Sequence, residues 1–375
     1  MTQYPSFATL DRLKKIFFFQ VLPNIMNFVV LLLLAACQVF SINTPSWGFN
    51  PQGTRYINSQ INTDNVKTLA VKWKTNLCGP ITSSPAVIEK DEFLNETTVF
   101  SGDFGSCLTS VDEPTGQINW QMNLVTDYGL MNKAFTRNTP FYYKGMLVIP
   151  QSGRWGYVES SFGVWLLVVN ATNGALMRKV KVSDFNRSYL TGSVNVNDNG
   201  VIFVGLSSGE EAASAVAAQF GQYYNCCSFG GALFAYNITN LALLWKTPTS
   251  PPELIGPGLY SGGAIVGHPT FYKNRVYVTT ANLYWVPQSV TDCILVNGTN
   301  ASCIDPRVHF NAVLAVDQDT GEIVASMRTM FYDAWVASCL FVNLKFLCPP
   351  ILGDDFAFID SPAIVKKGND AYVAV

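Results

Sequence analysis

Short apolar runs alternate with Gly-, Asn- and Asp-rich turns along most of this chain, and their period of two predicts strands rather than helices. A first set comprises Ser84-Pro-Ala-Val-Ile88, Thr98-Val-Phe100, Leu108-Thr-Ser-Val111 and Ile118-Asn-Trp120, within residues 83–123. A second set spans 139–182, with Met146-Leu-Val-Ile149 and Trp165-Leu-Leu-Val-Val169 as its strongest strands. A third runs from Gly192 to Lys246 around a long insertion, Ser208 to Ser228, and a fourth from Ser261 to Arg328. Ser361-Pro-Ala-Ile-Val365 then repeats the opening of the first set, so the chain stops inside a fifth.

One phrase ties the sets together. Ser110-Val-Asp-Glu-Pro-Thr-Gly-Gln-Ile-Asn-Trp120 returns with losses as 168–178, 235–245 and 315–325. Its copies start roughly 58, 67 and 80 residues apart, which suits four-stranded units with variable loops. The Asp-x-x-Thr-Gly core reads as a tight turn, because Gly supplies a positive φ and Asp or Asn caps its own backbone. The expected architecture is all-β: a β-propeller, with about four complete blades and the start of a fifth, hence incomplete. An open propeller exposes strand edges, so closure is expected from a longer protein or another cap. Residues 42–80 read as a lead-in without a full blade pattern and 81–375 as the partial propeller.

The N-terminus adds a compartment. Arg12, Lys14 and Lys15 precede an apolar stretch from Ile16 to Phe40, and residues 1–41 read as a signal peptide or an uncleaved signal anchor. Either places the body outside the cytosol, secreted or lumenal, with a membrane contact only if the segment is retained. Leu34-Ala-Ala-Cys37 also resembles a lipobox. Six Asn-x-Ser/Thr sequons, at Asn95, Asn170, Asn186, Asn237, Asn297 and Asn300, fit a glycoprotein. Setting Cys37 aside leaves eight cysteines. Cys293 and Cys303 bracket one loop and Cys339 and Cys348 another; Cys226 and Cys227 are adjacent; Cys78 and Cys107 remain as a fourth pair. The formal charge of −2 gives no reason to expect nucleic acid. No P-loop, dinucleotide fingerprint or His-Glu-x-x-His motif occurs.

Particular residues resemble a family. Ile61-Asn-Thr-Asp-Asn-Val-Lys-Thr-Leu-Ala-Val-Lys-Trp73 resembles the opening of dehydrogenases that use pyrroloquinoline quinone (PQQ), and the turn phrase resembles the tryptophan-docking motif of their eight-bladed propeller. Gly205-Leu-Ser-Ser-Gly-Glu-Glu211, Cys226-Cys-Ser-Phe-Gly-Gly231, Tyr260-Ser-Gly-Gly-Ala-Ile265, Ala281-Asn-Leu-Tyr284 and Cys303-Ile-Asp-Pro-Arg-Val-His-Phe-Asn311 are similar to polyvinyl-alcohol-dehydrogenase-like proteins. The resemblance implies PQQ with calcium, an alcohol or polymeric alcohol substrate, and a separate electron acceptor, since no haem-attachment Cys-x-x-Cys-His is present.

It also implies a site. Glu211 matches the first calcium ligand, with Glu210 its neighbour and rival, and Asn282 matches the second. In methanol-oxidising relatives a vicinal disulfide lies on the quinone plane but comes from an earlier part of the chain. Cys226 and Cys227 are its counterpart here, or else two reduced or separately paired thiols. Val266 stands where relatives have a Trp beneath the quinone, and Val336 where the methanol-oxidising enzymes have the catalytic Asp; Asp333 is the substitute base. The basic residue expected at the quinone would lie beyond Val375. The competing reading is a non-catalytic secreted propeller that binds a carbohydrate, polymer or protein.

Overall fold

A computed structural model describes residues 43–375 except 58, 60, 131–135, 152–162, 222, 223, 225 and 299–302. The leader segment, 1–41, and the Asn300 sequon lie outside the described residues. The strands and the candidate site all belong to the larger compact unit, residues 42–57 and 62–375. Among the described residues no helix is long and apolar enough to cross a membrane.

The strands fall where the apolar runs place them. β1 (Ala86–Ile88), β2 (Thr98–Gly102), β3 (Cys107–Asp112) and β4 (Ile118–Asn123) form an antiparallel sheet in chain order. β5 (Phe141–Tyr143), β6 (Met146–Gln151), β7 (Val164–Asn170) and β8 (Leu176–Ser183) form the second. In the third, β10 (Asn195–Val196), β11 (Val201–Ser208), β12 (Ala232–Asn237) and β13 (Leu243–Pro248) follow in order, and the short β9 (Ser188–Tyr189) pairs with the end of β11. β14 (Ser261–Gly262) and β17 (Leu283–Trp285) form a small pair beside the fourth sheet. That sheet comprises β15 (Thr270–Tyr272), β16 (Arg275–Thr279), β18 (Ala312–Asp317) and β19 (Ile323–Arg328). β20 (Ala363–Lys367) and β21 (Asp370–Ala374) make a final hairpin.

Two helices interrupt this order where the sequence suggested only loops. α1 (Glu210–Gln219) fills the insertion of the third sheet, and α2 (Gln288–Asn297) fills the cysteine-bracketed loop of the fourth. The Ala-rich run of α1 is a helix signal that the surrounding β pattern overshadowed.

The sheets stack face to face, and the period of two decides which residue serves which interface. Leu147, Ile149, Leu167 and Val169 pack towards the first sheet with Phe100, Leu108 and Trp120. Their neighbours Val148, Leu166 and Val168 point the other way, against Ile202, Val204 and Phe234 of the third. Phe203, Leu233 and Ala235 then meet Val276, Val278 and Leu314 of the fourth. Each such side chain contributes about 1.5–3 kcal/mol by burial, which explains the near-continuous apolar character of the middle strands.

The repeated phrase supplies a second set of joints. The Trp120 indole donates to Ala171 O at 3.0 Å, and its ring lies over Gly174 of the next turn. Trp245 does the same to Gln318 O, over Gly321. Trp73 of the lead-in donates to Glu113 O and covers Gly116. A Cβ on Gly174 or Gly321 would stand 2.7 Å from the indole, and both glycines have positive φ. The second and third sheets lack this joint: Arg178 replaces Trp, and Leu241, at φ 54°, occupies the glycine position. The two losses belong together, because without a ring above it the turn can carry a side chain.

The lead-in has a role its sequence did not announce. Thr44 pairs with Val87 beside β1, while Pro45 O accepts from the Tyr142 N–H of β5. Pro51 O accepts from Asn195 Nδ2 and the Phe271 N–H, and Gln52 O accepts from the Ile364 N–H. The opening strands of all four sheets and of the hairpin therefore converge on residues 44–52.

All four expected cysteine pairs are disulfides: Cys78–Cys107, Cys226–Cys227, Cys293–Cys303 and Cys339–Cys348.

Candidate active site

β11 runs straight into α1 through Gly209, and this junction separates two adjacent glutamates. Glu210 is fully buried and saturated: its carboxylate accepts the Ser228 N–H at 2.8 Å, the Phe229 N–H at 2.7 Å, the Ser228 hydroxyl and the Tyr224 hydroxyl. It fastens the segment bearing Cys226 and Cys227 to the start of the helix; Cys226 Sγ lies 3.6 Å from Glu210 O. Glu211 points elsewhere and accepts no hydrogen bond among the described residues. Burial, then the negative charges of Asp355 and Asp333, push its carboxyl up to about 7.

Asn282 precedes β17 and is fully buried. Its Nδ2 donates to Leu283 O at 3.1 Å and to Trp335 O at 3.2 Å, which leaves Oδ1 buried with no donor. Residues 333–335 lie alongside β17: the Leu283 N–H donates to Asp333 O, and the Trp335 N–H to Leu283 O, each at 3.0 Å. Asp333, also fully buried, is held by three donors: the Asp355 N–H and the Phe356 N–H at 2.9 Å, and Asn311 Nδ2 at 2.7 Å. The Asn311 Oδ1 is a second buried acceptor without a donor.

Sequence reasoning passed over Asn311 and Asp355. Asn311 sits at φ 42° and Asp355 at φ 60°, left-handed positions for side-chain-bearing residues. Gly353 donates to Ala334 O, and a Cβ there would lie 2.2 Å from Asp333 Oδ1, so the 353–356 loop is clamped onto 333–335. The exposed Asp355 carboxyl is pushed up to about 6 by desolvation and by Asp333. Tyr284 is raised well above the ordinary phenol range by burial, then by Glu211, Glu210 and Asp355, which places these acids around one spot.

The apolar surroundings come from a single cluster. Cys227, Phe229, Ala281, Tyr284 and the fully buried Val336 form it, with Cys226 and Val266 packed at its edge. A cavity of about 140 Å³ lies on the other side of Val266, lined among others by Trp47, Arg137, Thr191 and His268. Thr191 Oγ1, on its wall, is 2.7 Å from Ser207 Oγ near the end of β11. His268 is buried between Ser193 O and Asn195, and burial pulls its pKa down to about 4, so it is a neutral structural residue.

Buried amide oxygens without a donor, together with carboxyls pushed up by burial and by neighbouring negative charge, have the chemistry of a hard-cation site. Among the described residues, Glu211, Asp333 and Asp355 do not all bring ligand atoms within 4.8 Å of one another, whereas two groupings of His, Cys, Asp and Glu do, Cys78–Asp103–Cys107 and Glu210–Cys226–Cys227. Their sulfurs are consumed in disulfides and their carboxylates by backbone N–H groups, so neither offers a thiolate ligand.

The fold is that of quinone-dependent alcohol dehydrogenases. The quinohemoprotein alcohol dehydrogenase of Comamonas testosteroni superposes with a TM-score of 0.60 at 18% identity, over 91% of this chain and 46% of that one. In sequence, the chain is similar to polyvinylalcohol dehydrogenases: 29% identical to that of Sphingopyxis sp. (strain 113P3) over 56% of this chain, and 25% identical to that of a Pseudomonas sp. over 85%. The chain spans 30% and 45% of the lengths of these two relatives. No family model matches it. The resemblance to PQQ-dependent, polyvinyl-alcohol-dehydrogenase-like proteins read from the sequence therefore stands.

Proposed function

We propose that this chain forms part of a PQQ- and calcium-dependent alcohol dehydrogenase that oxidises a secondary, polymer-like alcohol outside the cytosol. Its sheets are the first blades of an eight-bladed propeller, four and the start of a fifth. The observation that carries the reading is the buried, donorless Oδ1 of Asn282, two residues before Tyr284, whose hydroxyl senses the charge of Glu211, a carboxylate with no hydrogen-bond donor among the described residues.

Calcium fits these residues. Glu211 and Asn282 would hold it, and a cation there would offset the burial and the negative charges of Asp355 and Asp333 that push the Glu211 carboxyl up. PQQ bound beside calcium supplies an ortho-quinone that accepts two electrons from the alcohol. The disulfide Cys226–Cys227 and Val266 provide apolar faces for a flat ring; Val266 gives a smaller face than a Trp and costs part of the stacking. Glu210 acts through the chain, fixing the disulfide segment and the helix start so that Glu211 is presented in one orientation. Asp333 ties the 353–356 loop to the same place. Electrons leave to a separate acceptor.

The test is calcium-dependent PQQ binding to the purified, secreted protein, followed by quinone absorbance and thermal shift. Binding that disappears in Glu211→Gln and in Asn282→Ala supports the reading. A folded protein that binds neither calcium nor PQQ refutes it, and leaves a non-catalytic propeller.

A further inference from the structure

We propose that Asp355 is the carboxylate that takes the hydroxyl proton of the alcohol, an inference that rests on the dehydrogenase reading above. The position occupied by Val336 cannot do so: it is an alkyl group, fully buried in the apolar cluster. Asp333 is no better placed. Both of its oxygens are engaged, by two backbone N–H groups and by Asn311 Nδ2, and it is closed off from solvent. Protonating it would break the hydrogen bonds that hold the neighbouring loop.

Asp355 has the opposite character. Its side chain accepts no hydrogen bond from the described residues and is exposed to solvent, so a substrate can reach it. Its backbone is nevertheless rigidly placed, by its own N–H on Asp333 Oδ1, by the Phe356 N–H on Oδ2, and by the Gly353 N–H on Ala334 O. A left-handed φ of 60° on a residue with a side chain persists only where the surroundings impose it, and such positions cluster at functional sites. Asp333 holds it through the backbone, and the negative charge of Asp355 reaches Glu211 and Tyr284. Asn282, whose Oδ1 lacks a donor, borders the same strand pair through Trp335 O. A general base beside a cation site needs this combination: fixed backbone, free carboxylate, access from solvent.

The chemistry balances. A secondary alcohol would lose its O–H proton to the Asp355 carboxylate and its C–H hydrogen, with the electron pair, to the ortho-quinone that PQQ would supply when bound, and the C–O single bond would become the C=O of a ketone. The proton on Asp355 then exchanges with water.

The experiment uses the protein with PQQ and calcium chloride, 2,4-pentanediol as the alcohol and phenazine methosulfate as the acceptor. Asp355→Asn, which keeps a residue tolerant of positive φ, is expected to lose about 100-fold or more in turnover. PQQ absorbance titration stays at wild-type values, the thermal midpoint does not fall, the acidic limb of the rate–pH profile disappears, and Asp355→Glu recovers part of the rate. Independently of turnover, the Asp355 carboxyl carbon, identified by 13C NMR as the signal missing from Asp355→Asn, shifts when the diol is added. The inference is overturned if Asp355→Asn binds PQQ and turns over at near the wild-type rate, or if that carbon ignores the diol. Failure of the wild-type protein to bind PQQ overturns the dehydrogenase reading, and this inference with it.

Discussion

In the absence of a cation, the acid cluster makes the folded protein hold a proton that the unfolded chain releases. Glu211 titrates at about 7 in the fold against an ordinary 4.5. Its ionised form is therefore disfavoured by folding, and the cost grows as pH rises from 4.5 and is complete above 7. A shift of this size corresponds to about 3 kcal/mol. Asp355 is raised for partly the same reason, the charge of Asp333, and is exposed, so no separate sum is added for it. His268 works in the opposite direction: its pKa falls to about 4, so it destabilises the fold as pH drops below the ordinary 6.5. The wild-type curve alone mixes the two effects, whereas the difference between wild type and Glu211→Gln removes the histidine. With calcium chelated, Glu211→Gln gains on the wild type by about 3 kcal/mol between pH 4.5 and 7.5. At roughly 2.1 cal/mol/K of unfolding entropy per residue this is a gain of about 4 °C in midpoint. Calorimetry at a series of pH values reads it directly. A stability difference that stays flat across this range would refute the argument that Glu211 sits unpaired among acids.

The same contacts set other outcomes. Calcium raises the thermal midpoint of the wild type more at pH 7.5 than at pH 5, because the ion must displace protons, and it does little to Asn282→Ala. Trp120→Ala, which empties an interface between sheets and abandons Ala171 O, costs about 3–5 kcal/mol in a denaturation series. Gly321→Ala places a Cβ against the Trp245 ring at φ 76° and lowers stability in the same assay by about 1–2 kcal/mol or more, whereas Leu241→Ala meets no ring and loses only its burial. Removing the Cys78–Cys107 bridge, whose ends are 29 residues apart, lowers stability by about 3–4 kcal/mol through the entropy of the unfolded loop.

The sequence by itself determined the strands, because a period of two in β-branched and aromatic residues has one consistent burial, and the middle strands are buried on both faces. It marked the repeated phrase too, but the structure showed that Trp120 and Trp245 meet glycines of the next copy and that Arg178 and Leu241 are a paired loss. Two disulfides, Cys293–Cys303 and Cys339–Cys348, were legible as brackets around loops, and Glu211 and Asn282 were singled out by resemblance alone. The two helices were not read, since their apolar residues are spread without strong sidedness and the flanking pattern is β. Only the tertiary structure decided which of two adjacent glutamates is spent on backbone N–H groups and which has no donor among the described residues. It also showed that Asp333 is enclosed while Asp355, 22 residues later, stands open, and that residues 44–52 join the openings of the four larger sheets and the last hairpin. Local patterns record burial and turn geometry, which each segment settles with its neighbours. The protonation and availability of a carboxylate depend on groups brought from distant parts of the chain, and no window of sequence contains them.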